Sequence, residues 1–117
     1  MTKPELEFFS ADEIPWRPVE GTPGLSERIF SRDEETGDCT RLLKYVPGSD
    51  ARHLGVLRHD FWEEVWIVEG GLCDVTLGKT WTRGMYACRP PGMPHGPYTS
   101  AEGCLTFEVR YYDRHRS

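Results

Sequence analysis

The stretch Gly84-Met85-Tyr86-Ala87-Cys88-Arg89-Pro90-Pro91-Gly92-Met93-Pro94-His95 decides how this chain is read. It opens on a glycine, runs through residues 85–88 as one short strand, breaks at a Pro-Pro-Gly corner and delivers a histidine at its end. Working back from His95, a second dense tract lies upstream: Leu57-Arg58-His59-Asp60-Phe61-Trp62-Glu63-Glu64, with His59 placed 36 residues before His95. Histidine and glutamate are good ligands for divalent transition metals, and three such residues on separate strands can converge inside a small barrel. Each has a plainer reading when taken singly. A lone histidine beside an apolar run is more often a hydrogen-bonded structural residue, and Glu63-Glu64 would pass as a solvated edge.

The surroundings of these tracts are turn-rich. Turn signals recur at residues 36–38, 47–50, 69–71, 77–79, 83–84, 90–92 and 102–103, mostly 6 to 14 residues apart, which is the spacing of a sandwich or barrel of short strands. The segments between them predict strands at 27–32, 39–46, 53–59, 63–69, 72–77, 80–83, 85–88 and 104–112, with no window of sustained helical periodicity. In the last strand Leu105, Phe107, Val109 and Tyr111 alternate with Thr106, Glu108 and Arg110, the period-2 pattern of a half-buried strand. Val65-Trp66-Ile67-Val68 is apolar on both faces, so a second surface is expected to cover it, either a second copy in a homodimer or the N-terminal arm. Residues 1–25 carry Pro4, Pro15, Pro18 and Pro23, which exclude a long helix. They predict an irregular arm with one short strand at 6–9, leaving 26–117 as the barrel domain.

Length and charge narrow the function. A chain of 117 residues supports one hydrophobic core. A net charge of −5 argues against an electrostatic footprint for nucleic acid or an anionic membrane. No apolar stretch reaches 18 residues and the first 15 lack a secretory pattern, so the expected compartment is the cytoplasm. The four cysteines Cys39, Cys73, Cys88 and Cys104 form no CxxC pair and read as ordinary thiols.

Residues 84–95 match the pattern G(x)5PxG(x)2H at every defined position, and His59, Glu63 and Gly70 reproduce the second half of G(x)5HxH(x)3-4E(x)6G. These are the two signatures of the cupin family. The sequence therefore resembles a single-domain cupin over residues 39–112, and the tract 59–95 is similar to cupins related to the anti-sigma factor ChrR and to the acetylacetone-cleaving dioxygenases. The resemblance implies an all-β fold, a jelly-roll barrel. It departs from the pattern at three places: the leading histidine falls on Leu57, the opening glycine on Ala51 and the terminal asparagine of the second signature on Thr99.

A typical cupin holds metal through three histidines and one glutamate; this chain offers His59, Glu63 and His95. Two histidines and one carboxylate are the facial triad of non-haem Fe(II) oxygenases. The implied cofactor is thus a divalent metal ion, with Fe(II) favoured and Zn, Ni or Mn also accommodated. The implied function is O2-dependent carbon–carbon cleavage of a β-dicarbonyl or hydroxyketone-like small molecule. The alternatives are a non-catalytic metal- or ligand-binding sensor module, and a barrel that has lost its metal with the histidine replaced by Leu57.

Strand parity supplies orientations. If 53–59 is a strand, Leu57, Gly55 and His53 share the face of His59, while Arg58 points outward. Glu63, Val65 and Ile67 share a face, which turns Glu63 inward and Glu64 outward. The candidate pocket wall is Leu57, Trp62, Tyr86, Met93, Tyr98 and Phe107, each of which also fits an ordinary core role, with Arg89 and Tyr98 as polar contacts. The expected partners are a small-molecule substrate and a second copy of the chain.

Overall fold

The computed structural model describes residues 3–112. Nine strands follow one another: β1 (Arg17–Pro18), β2 (Leu25–Arg32), β3 (Cys39–Tyr45), β4 (Ser49–Asp50), β5 (Trp62–Asp74), β6 (Lys79–Thr82), β7 (Tyr86–Arg89), β8 (Tyr98–Ser100) and β9 (Cys104–Tyr111). Among the described residues helix is confined to two single 3-10 turns, at Ala11–Glu13 and Arg52–Leu54. All strand pairings are antiparallel, in the order β1-β2-β3-β9-β5-β8-β4, with β6 and β7 also pairing β5. Among the described residues no helix is long and apolar enough to cross a membrane.

The 13-residue β5 organises the barrel. Its first half pairs with β9 and β7, and its second half with β6 and β8, so the strand belongs to both walls of the curled sheet. The sequence predicts two strands here, broken at Gly70-Gly71. The chain instead passes straight through and bends, with a register shift between Ile67 and Glu69 opposite β9. Gly70 makes the bend possible: its φ is +85°, and a Cβ there would lie 2.1 Å from the carbonyl oxygen of Gly103. This explains in steric terms the glycine seven residues beyond Glu63 in the first signature.

Two other expected strands do not form. Residues 4–10 have no regular structure, and the segment 53–59 holds a 3-10 turn, then Gly55 at φ +67°, then one bridge at Leu57. Parity arguments therefore do not apply to 53–59. His53 lies at the surface with Nε2 2.9 Å from the Gly21 carbonyl oxygen, away from His59.

The apolar core is Leu43, Tyr45, Ile67, Leu72, Tyr98 and Cys104. At about 1.5–3 kcal/mol for each fully buried large side chain, it drives closure of the barrel. Beside it the interior is polar. In β9 the expected period-2 pattern is present with its sign reversed, for Thr106 and Glu108 are buried while Leu105, Phe107 and Val109 are only half-buried on the outer face. Glu108 is accommodated because Arg41, directly across in β3, donates to it from Nε at 3.0 Å and Nη2 at 2.9 Å, and reaches Glu27 from Nη1 at 2.6 Å. Thr106 donates to the other Glu108 oxygen at 3.1 Å. Burial alone would lower the pKa of Arg41; Glu108 and Glu27 outweigh it and raise it.

On the outer face Trp66 stands opposite Phe107 in β9 and Tyr86 in β7, and it is 50% exposed. The N-terminal arm, one of the two expected covers, leaves Trp66 uncovered and keeps Leu6, Phe8 and Phe9 exposed.

Candidate metal centre and adjoining cavity

Two loops bring the candidate ligands together. Pro90 accepts from Met93 N–H at 3.1 Å, closing the Pro-Pro-Gly corner, and Gly92 N–H donates to the His59 carbonyl at 2.8 Å. Leu57 and His95 exchange both backbone hydrogen bonds, at 2.7 and 3.0 Å. The two signature segments are thus zipped side by side by backbone, and this pairing holds His59 next to His95 with ring centroids 4.9 Å apart. Glu63 enters from β5, 3% exposed and facing inward, with Glu64 turned outward to the hydroxyls of Tyr86 and Tyr111.

One ligand atom from each of His59, Glu63 and His95 lies within 4.8 Å of the other two. His95 is buried, and its Nε2 has no hydrogen-bond partner. An orphaned buried ring nitrogen is costly unless something coordinates it. Burial pushes the His95 imidazole down to about 4, with Arg89 adding to the shift, and burial likewise lowers His59. Both rings are therefore neutral at pH 7, the form that binds metal. Burial works to raise Glu63, but the guanidiniums of Arg110 and Arg89 outweigh it and hold the carboxyl below its ordinary value. Arg89 Nη1 lies 2.9 Å from one Glu63 oxygen and Arg110 Nε lies 3.0 Å from the other. Each carboxylate oxygen retains a second lone pair, so the clamp orients Glu63 without using up its capacity as a ligand. The donor set, the orphaned nitrogen and the protonation states all fit a divalent metal.

Beyond His95 a cavity of about 180 Å³ runs into the barrel between Val65, Ile67, Leu72 and Trp81. The metal group and the cavity meet at His95 and at Arg89; His59 and Glu63 stand behind that wall. Of the expected pocket residues, Met93 and Tyr98 line the cavity, as does Arg89. Tyr98 accepts from Arg89 Nη2 at 2.5 Å and lies 3.4 Å from His95 Nδ1. Burial raises its phenol to about 12. Tyr86 borders the cavity, but its hydroxyl is turned to Glu64 on the outer face.

Three expected pocket residues lie elsewhere. Trp62 shares the outer face with Glu64 and stacks on Tyr111 at 6.2 Å. Phe107 is on that face too, 6.3 Å from Phe30. Leu57 is engaged through its backbone with His95 and does not line the cavity. The first two follow from the reversed faces of β9 and the inward turn of Glu63, since neighbours of an inward residue must point out. Arg58 is exposed on its loop and donates to the Gly92 carbonyl at 3.2 Å.

Arg110 and Phe61 were not singled out from sequence. Phe61 stacks on His59 at 4.6 Å, and the Arg110 guanidinium sits 4.8 Å from the Phe61 ring, so a cation, a phenyl and an imidazole are layered at the barrel mouth. The alternation Thr106, Glu108, Arg110 was the available signal; its polarity led to the outer face.

Comparison with known proteins matches this architecture. The family model described as the ChrR cupin-like domain matches residues 5–111. An RmlC-like cupin from Shewanella frigidimarina superposes with a TM-score of 0.74 at 18% identity, covering 98% of this chain and 97% of the other. An acetylacetone dioxygenase from Acinetobacter johnsonii gives 0.71 at 16% identity, covering 92% and 74%. The polyketide cyclase RemF from Streptomyces resistomycificus gives 0.70 at 17% identity, covering 95% and 82%. No curated protein matches the sequence. At these identities the structural matches establish the fold, which is shared by proteins with different chemistries.

Proposed function

The chain belongs to the ChrR cupin-like domain family, and from that premise we propose that it is a metal-dependent enzyme acting on a small organic molecule, with the metal held by His59, Glu63 and His95. The observation that carries this reading is the buried, unpartnered Nε2 of His95, set among ligand atoms within 4.8 Å at the wall of a largely apolar cavity. A two-histidine, one-carboxylate set favours Fe(II), which when bound supplies a Lewis acid with positions open to substrate and O2. The reaction we assign is O2-dependent carbon–carbon cleavage of a β-dicarbonyl or hydroxyketone-like substrate. Arg110 and Arg89 keep Glu63 ionised and fixed, Tyr98 steadies the His95 ring, and the apolar walls exclude water from the bound substrate.

The family match also favours a second reading, a module that binds metal without turnover. Metal content after expression with added iron or zinc, compared between the wild type and His95→Ala, tests the site. Wild-type protein is expected to carry metal that the variant largely loses; metal-free wild type from both preparations would sink both readings. O2 uptake with β-diketones and hydroxyacetophenones then separates enzyme from sensor. A homodimer is part of the same proposal, supported by half-exposed Trp66 on the outer face. Sedimentation should show a dimer that Trp66→Lys dissociates, and a wild-type monomer would refute it.

A further inference from the structure

One buried carboxylate takes no part in the chemistry above. Asp74, the last residue of β5, is 4% exposed and lines the cavity together with Leu72, Leu77 and Trp81. Register places it directly opposite Tyr98, so the two side chains share the inner face. Its Oδ1 accepts the Leu77 N–H at 3.1 Å, capping the turn that follows β5. Capping a turn does not require burial, because a surface aspartate does the same in water. Among the described residues the other buried carboxylates, Glu63 and Glu108, each hold a guanidinium, whereas Asp74 has no cationic partner. A buried carboxylate without such a partner is expensive, and the cost falls when a ligand donates to it.

We propose that Asp74 is the recognition residue of the cavity, accepting a hydrogen bond from a hydroxyl or ammonium group on a small and otherwise apolar molecule. This rests on the reading that the cavity receives the organic substrate. Arg89 directs its polar atoms at Glu63 and Tyr98, and Tyr98 directs its hydroxyl at Arg89 and His95, so with His95 assigned to the metal Asp74 is the acceptor free to discriminate. The space of about 180 Å³ sets the size of the ligand. Cavities of about 150 Å³ take a benzene ring, so one ring with a short polar substituent fits here.

Calorimetric titration with benzyl alcohol, benzylamine and toluene tests the assignment on the intact protein. Wild type is expected to bind the alcohol or the amine about tenfold more tightly than toluene, in line with a hydrogen bond to a charged acceptor. Whichever of the two binds more tightly identifies the donor. Asp74→Asn, whose side-chain oxygen can still cap Leu77, is expected to lose most of that preference while its toluene affinity stays unchanged. Equal affinities for all three probes, no binding of any of them, or a preference that survives in Asp74→Asn would each overturn the proposal. Should the variant fail to fold, the wild-type preference alone decides. Iron content measured on the same preparations keeps the two readings apart: metal-free protein with an Asp74-dependent preference refutes the metalloenzyme, and metal-loaded protein without the preference refutes the role of Asp74.

Discussion

Two ion triads lie side by side in the barrel with opposite stoichiometry. In the first, one guanidinium, Arg41, serves two carboxylates, Glu108 and Glu27; in the second, one carboxylate, Glu63, is held by two guanidiniums, Arg89 and Arg110. The Arg41 and Glu108 side chains are 9% and 5% exposed, and Thr106 occupies the remaining Glu108 oxygen, so this pair is sealed and satisfied internally, with Glu27 half-buried at its edge. In the second, Arg110 is 27% exposed at the mouth, next to two neutral imidazoles of which one has an orphaned nitrogen. The first triad replaces apolar packing as a structural element. The second spends its extra positive charge on keeping one carboxylate ionised beside a place for a ligand. Similar residue types thus satisfy one another in one place and leave polar capacity over in the other, which is where the proposed metal site falls.

Removing the single cation of the sealed triad should cost most. Arg41→Met leaves buried Glu108 without a counter-charge and half-buried Glu27 without its partner, and a loss of about 3–5 kcal/mol is expected in urea unfolding. Arg110→Met removes only one of two cations, from a partly hydrated site, so about 1–2 kcal/mol is expected by the same measurement. Equal losses for the two variants would break the distinction between a sealed and an open triad. The smallest effect concerns the thiols. Burial raises Cys104 to about 11, above its ordinary 9.0, so the unfolded chain gives up this proton first as pH rises. Stability is therefore expected to be intact below pH 9 and to decline by roughly 1–3 kcal/mol as pH rises towards 11. Cys104→Ala should flatten that decline, and exposed Cys88 should react with a thiol reagent well before Cys104.

Much of the candidate centre was legible before the fold. His59, Glu63 and His95 are the set that the resemblance to the two cupin signatures implies, and the structure brings all three together. The inward turn of Glu63 was legible too, because β5 is a regular strand through that point. Leu57 and His53 were misplaced because their segment is a 3-10 turn and loop held by Gly55, where alternation has no meaning. Trp62 and Phe107 lie on the outer face for another reason: Trp62 is the β5 neighbour of inward-facing Glu63, and in β9 the inner face is polar rather than apolar. Asp74 carried no sequence signal, since an aspartate before a turn is ordinary on any surface.

The sequence by itself determined the all-β class, most of the turns and the period-2 strands, because these depend on local sterics and on alternation along one strand, and its resemblance to the two cupin signatures pointed to the three candidate ligands. Which face of β9 looks inward was decided only in the tertiary structure. Glu108 can be buried only if Arg41, 67 residues away in sequence, arrives opposite it, and whether Glu63 is a clamped, buried carboxylate or a solvated edge depends likewise on Arg110, 47 residues away. Burial of a charge is favourable or ruinous according to its partner, and strand pairing alone decides which partner it meets.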